Sequence, residues 1–307
     1  MNTNTNIQSP LTAAMQEQYT TGSVTSKDAT KIGYRQYGQG PGLVLVQGAM
    51  GSAHNFMQLA EALADTFTVY VPDRRGRGMS DCPYRENYGI QRDVEDLNAL
   101  LTTTDAHFVF GLSAGALITL QAALTLPAMR KIAIYEPALF LKGLPTSLMA
   151  RLQGEIAQGK LAAALITGMK AAQMGPPIFS AMPRFLTEGM TTMIMKQEEK
   201  NGSGEYLPMK ALAPSLQFDF KIVAEMNGTL SNFKNLNTET LLLGGSKSPA
   251  YLKEAVDALE KTLPHATRIE FPGLDHGAAW NYDKQRNQNG KPEVVAQALR
   301  RFFGEPE

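Results

Sequence analysis

The sequence predicts an α/β fold: a mostly parallel sheet of about eight strands, covered by helices on both faces, with a helical block inserted in it. Three observations carry this. Apolar runs such as Leu43-Val44-Leu45-Val46 are uninterrupted, as in strands buried on both faces. Such runs alternate with stretches of helical spacing, which implies right-handed crossovers. The rhythm stops near Pro137 and resumes near Thr240.

Taken in order, Met1 to Thr21 is a polar lead-in without the basic start and apolar middle of a signal peptide, so a cytoplasmic protein is expected. From Gly22 to Tyr37 two alternating runs flank Lys27-Asp28-Ala29, a hairpin signal. The run 43–46 ends in Gln47-Gly48. A helix over Ala53–Leu63 then leads into the strand Phe67–Val71. A second helix, Ile90–Leu101, has Val94, Leu97 and Leu101 at helical spacing and leads into Phe108-Val109-Phe110. A third starts at Ala114 and leads into the strand Lys131–Tyr135. Residues 137–234 are short helical pieces broken by Gly175-Pro176-Pro177, Pro183 and Asn201-Gly202-Ser203-Gly204. Strand and helix resume at Thr240–Leu243, Tyr251–Leu263, Thr267–Phe271 and Pro292–Phe303. The chain therefore divides into a lead-in (1–21), one α/β core (22–136 and 235–307) and an insertion (137–234).

Composition narrows the function classes. Basic and acidic residues balance at 29 each, which disfavours nucleic acid or an anionic membrane as partner. The single cysteine, Cys82, cannot form a disulfide within the chain, and a thiolate metal site is not expected. No apolar run approaches the ~18 residues of a membrane span. A monomer or homodimer acting on a small molecule, without metal or cofactor, is expected.

The chemistry is carried by Gly111-Leu112-Ser113-Ala114-Gly115, a G-x-S-x-G sequence between a strand and a helix. On such a turn the serine is lifted clear of the sheet, and its neighbours must be small for the backbone to close. A hydroxyl is a poor nucleophile near neutral pH and needs a base beside it. Of the four histidines, His54 lies in a helix, His107 opens a strand and His265 sits in a Leu-Pro-His turn. His276 follows the strand 267–271 through Pro272-Gly273-Leu274-Asp275, at the strand edge where open α/β sheets bind ligands.

These residues resemble the α/β-hydrolase fold family over nearly the whole chain. Gln47-Gly48-Ala49-Met50-Gly51 stands where that family has His-Gly before its oxyanion loop, and Asp73-Arg74-Arg75-Gly76-Arg77-Gly78-Met79-Ser80 is similar to its D-x-R-G-x-G-x-S turn. The resemblance makes 137–234 a cap over the active site. It also implies an oxyanion hole from the backbone N–H groups of Ala114 and of Ala49 (or Met50). One departure concerns the acid. The family's G-x-x-D turn is here Gly245-Ser246-Lys247-Ser248, so Ser248 stands in the carboxylate's place. Asp275 adjoins the histidine directly and so points elsewhere. Glu136, at the end of the strand after the nucleophile's, is where some branches place the acid. It either orients His276, or begins the cap and bonds to backbone, in which case serine and histidine act as a dyad.

Nine of the fifteen methionines fall in the insertion, and with Phe179, Phe185, Leu186 and Ile194 they suggest an apolar pocket or ordinary helical core. Gln47, Met50, Leu112 and Trp280 are further pocket candidates. The reading that follows is a serine hydrolase cleaving an ester or lactone of a small to medium apolar substrate. Carbon–carbon bond hydrolysis, cofactor-free perhydrolase chemistry and a non-catalytic ligand receptor are the alternatives.

Overall fold

The computed structural model describes residues 19–144, 146–174 and 182–304. The described residues open with the expected hairpin. β1 (Thr20–Thr25) and β2 (Lys31–Tyr37) pair antiparallel, closed by a turn in which Ala29 takes a φ of 67°. Thr20 and Thr21, assigned to the lead-in by sequence, are thus the first residues of the sheet.

β3 (Gly42–Val46), β4 (Thr68–Pro72), β5 (Phe108–Leu112) and β6 (Lys131–Tyr135) follow, separated by α1 (Met57–Leu63), α2 (Ile90–Thr104) and α3 (Ala114–Ala123). The helix expected over 53–63 is split, because a 3₁₀ turn over Ala53–Phe56 precedes α1. Asn55 caps the start of that turn, its side-chain oxygen accepting from the Ser52 amide at 2.8 Å. Between β6 and β7 run α4 (Thr146–Ala157), α5 (Leu161–Ala171), α6 (Arg184–Asn201), α7 (Met209–Leu212) and α8 (Leu216–Glu225). The core then resumes with β7 (Glu239–Gly245), α9 (Ala250–Thr262), β8 (Ala266–Phe271) and α10 (Pro292–Gly304).

The eight strands form one sheet in the order β1-β2-β4-β3-β5-β6-β7-β8. The pairs from β4 through to β8 are parallel, and only the β1–β2 and β2–β4 pairs are antiparallel. Strand alternation sends Val44 and Val46 to one face of β3 and Leu43 and Leu45 to the other, where each joins a separate buried layer. Helices α2, α3 and α8 contribute to the first layer, α1 and α10 to the second. No helix among the described residues is long and apolar enough to cross a membrane.

The insertion departs from its expectation at α6. Phe185, Leu186 and Ile194, assigned to an apolar pocket, are 72%, 43% and 47% exposed, and Met190 and Met193 lie on the same outer side. The helix turns Thr187 and Met195 inward instead. Phe179 and the Gly175-Pro176-Pro177 stretch fall outside the described residues.

Candidate active site

Ser113 sits between β5 and α3 with φ 57° and ψ −116°, a conformation that costs a residue bearing a Cβ. The tight turn is held by the Ser113 amide donating to the Tyr135 carbonyl at 3.0 Å. It also demands a bare backbone two residues on. A Cβ on Gly115 would stand 2.3 Å from the Val46 carbonyl oxygen and 2.5 Å from that of Gln47. This is the physical content of the G-x-S-x-G spacing: α3 starts against the end of β3, and only glycine fits between them.

One strand away, Glu136 follows β6 with an equally unusual φ of 43°. Its amide donates to the Leu243 carbonyl at 3.1 Å, and the Gly245 amide donates to its Oε1 at 2.6 Å. The side chain is fully buried. Its other oxygen, Oε2, lies 2.7 Å from Nδ1 of His276. Glu136 thus has one oxygen on backbone and one on the imidazole. Asp275 does turn away: its Oδ1 accepts from the Gly277 amide and its Oδ2 from Asn289. Ser248 is buried near the turn after β7, and its hydroxyl has no partner among the described residues.

With Nδ1 of His276 taken by Glu136, Nε2 is the nitrogen left for a hydroxyl. Ser113 and His276 line the same cavity, of about 250 Å³. No hydrogen bond joins them among the described residues; such bonds commonly tighten only with a substrate in place. Gly48, Ala49, Met50 and Ala114 close one wall. The Ala114 amide is the first of α3 and has no intrahelical acceptor. The Ala49 amide makes no turn or loop bond among the described residues. Met50 holds the loop between them with a φ of 57°.

The remaining wall comes largely from α5 and α8, through Leu165, Gly168, Met169, Leu216, Phe220 and Val223. Phe140 and Tyr251 add stacked rings 4.4 Å apart. Burial, and then the charge of Glu136, push the Tyr251 hydroxyl well above the usual phenol range, so it stays neutral. Trp280 also lines the cavity, and its indole nitrogen has no partner among the described residues.

Two sequence candidates do not reach the cavity. Leu112 is the last residue of β5, and strand alternation buries it in the layer beneath the sheet. Gln47 is fully buried, with its side-chain amide given to the Pro72 carbonyl. Of the insertion's methionines only Met169 and Met174 line the cavity. Conversely, sequence reading overlooked Asp219, which lines it from α8. The signal was present. Asp219 falls in register with Leu216, Phe220 and Val223, a carboxylate on an apolar helical face. No group of three or more potential metal ligands occurs among the described residues.

A nucleophile elbow between strand and helix, an imidazole backed by a buried carboxylate and a free pair of amides beside one apolar cavity define a hydrolase-type site. Residues 43–298 match the model of the Alpha/beta hydrolase family, and the chain belongs to that family. It is similar to the uncharacterised hydrolase YraK of Bacillus subtilis, at 36% identity over 112 residues, 35% of this chain and 41% of that protein. It is also similar to the N-formylmaleamate deformylase of Pseudomonas putida, at 29% identity over 123 residues, 39% of this chain and 46% of that protein. The chain thus matches less than half the length of either relative. An α/β hydrolase from Sphaerobacter thermophilus superposes with a TM-score of 0.72 at 28% identity, over 92% of this chain and all of that one.

Proposed function

We propose that the protein is a serine hydrolase that cleaves an ester or lactone of a small to medium apolar substrate through an acyl-enzyme. The observation that carries this is the 2.7 Å contact between the fully buried Glu136 and Nδ1 of His276, at the cavity that Ser113 also lines. Ser113 Oγ attacks the carbonyl carbon while His276 Nε2 takes its proton. Glu136 keeps Nδ1 protonated and stabilises the imidazolium that forms. The Ala49 and Ala114 amides receive the charge that develops on the carbonyl oxygen. His276 then returns the proton to the leaving alcohol, and water, activated by the same imidazole, releases the acid.

The apolar lining from α5, α8 and Phe140 supports an uncharged substrate, and the helices of residues 137–234 serve as its cap. Partial likeness to a deformylase supports a second reading, in which the bond cleaved is an amide. The test is a p-nitrophenyl ester series with a fluorophosphonate label. The expected result is a burst of p-nitrophenol and one labelled residue, Ser113, with both lost in Ser113→Ala. Absence of burst and label in the native protein would turn the reading towards a ligand receptor. A burst that survives Ser113→Ala would remove Ser113 as nucleophile.

A further inference from the structure

The two arginines that flank Arg75 do not point to solvent. Arg74 and Arg77 are 5% and 3% exposed, beneath the loop 47–51. Arg77 Nη1 donates to the Gly51 carbonyl at 3.1 Å and, at 3.4 Å, to that of Gly48. Arg74 Nη1 donates to the Gln47 carbonyl at 3.3 Å. Both guanidiniums converge on one carboxylate, Asp219 of α8. Arg74 Nη1 lies 2.7 Å from its Oδ1, and Arg77 Nη2 lies 3.2 Å from each of its oxygens. Asp93 of α2 completes the cluster, accepting from Arg74 Nε at 3.2 Å and from the Tyr88 hydroxyl. Two cations and two anions are balanced there. Burial alone would raise the Asp219 carboxyl, but Arg77 and Arg74 hold it below the usual range, so it remains an anion.

The Gly48 carbonyl belongs to the same peptide unit as the Ala49 N–H. In a trans peptide the two point in opposite directions, and all peptide bonds described are trans. A cationic donor on the carbonyl therefore fixes the plane of that peptide, aims its N–H away from the arginine and polarises it. We propose that Arg77, itself held by Asp219 of the insertion, is a positioning residue for the oxyanion donor Ala49. The role rests on the acyl-transfer reading given above. It deepens that reading in one respect: α8, outside the α/β core, supplies the anion that orients the hole as well as part of the substrate wall. A lysine cannot replace the arginine, because a single ammonium lacks the planar fork that reaches Asp219 through one nitrogen and the loop carbonyls through the other.

The test compares native protein with Arg77→Lys, Arg77→Met, Asp219→Asn and the double variant Arg77→Met/Asp219→Asn. Turnover of a p-nitrophenyl ester is divided by the serine titrated with fluorophosphonate, so that misfolded protein does not count. Each single variant is expected to lose about 10- to 100-fold in kcat, with KM changed by less than about threefold, as when a transition-state contact is weakened. The inhibition constant of an aryl trifluoromethyl ketone, which forms a tetrahedral adduct on the serine, rises by the same factor. The double variant is no slower than Arg77→Met alone, because Asp219 acts through Arg77. It also keeps the cluster's charge balanced and carries the comparison if a single exchange fails to fold. Unchanged kcat per titrated serine, losses that multiply in the double variant, or an effect on KM alone would overturn the role. If the native protein is labelled and turns over while the variants match it per site, this role fails and the hydrolase reading stands. A native protein that takes no label overturns that reading and this role with it.

Discussion

Ser113, Glu136 and Met50 share a peculiarity that no composition statistic exposes: each is a non-glycine residue with positive φ, at the end of a strand or in the loop beyond one. Such conformations cost of order 1–3 kcal/mol each and persist where the surrounding fold imposes them. Here they set a hydroxyl and a loop against one cavity, and a carboxylate against the imidazole that lines it. For Ser113 the cost was legible, because G-x-S-x-G announces it. For Glu136 only its place at a strand end was legible. That its φ turns the carboxylate towards His276 depends on β7, through the Leu243 carbonyl and the Gly245 amide. Glu136→Gln should lower turnover by about 10² to 10⁴-fold with little change in melting temperature, since an amide keeps the shape but favours the wrong imidazole tautomer. Steady-state kinetics beside a thermal melt would check it. Ser248→Ala, measured in the same way, should change turnover by less than about threefold, because its hydroxyl bonds to no described residue.

At the scale of elements, α5 and α8 matter more than the helix that looked most suggestive in sequence. The methionines and aromatic of α6 fit an apolar surface by composition, yet five of its large apolar side chains face outward. Composition cannot tell which side of a helix meets the core when apolar residues run nearly all round it. On α8 the periodicity was clearer, with Leu216, Phe220 and Val223 on the cavity side. Burying each added methylene of an acyl chain against these residues contributes about 0.8 kcal/mol, so kcat/KM should rise roughly tenfold per two methylenes until the cavity is filled. A series of p-nitrophenyl esters from acetate upward measures this, and a preference for charged acyl groups would contradict it. Met169→Trp, which places a larger ring in the α5 wall, should move the optimum to shorter chains by about two methylenes or more without slowing acetate. The same ester series reads that shift.

At the scale of the whole molecule, Arg75 ties the β1–β2 turn to α2. Its guanidinium bonds both oxygens of Asp96 on α2, at 2.5 and 2.7 Å, and both of Asp28 in the β1–β2 turn, at 2.8 and 2.9 Å. Arg75→Ala should cost about 3–5 kcal/mol, because it leaves buried Asp96 uncompensated. The urea midpoint would report it, with the m-value unchanged. The pH dependence has two parts of opposite sign: burial raises the Asp96 carboxyl to about 7 despite Arg75, so its part weakens as pH rises towards neutral. The bond to Arg75 holds the Asp28 carboxyl far below the usual range in the folded state. The stabilisation it brings is therefore complete above about pH 4 and is lost as pH falls further, and the variant should lack that part of the acid decline. By itself the sequence determined the parallel sheet, the order of its elements and the place of the break between β6 and β7. It also singled out Ser113 and His276 as candidates, because hydrophobic period and turn chemistry are local properties of the chain. The tertiary structure alone decided that Glu136 reaches His276, that Gln47 and Leu112 are sealed away, and that Arg74 and Arg77 meet Asp219 beneath the loop 47–51. Those contacts join residues 140 and 142 positions apart, and no local pattern encodes which distant polar group will satisfy a buried charge.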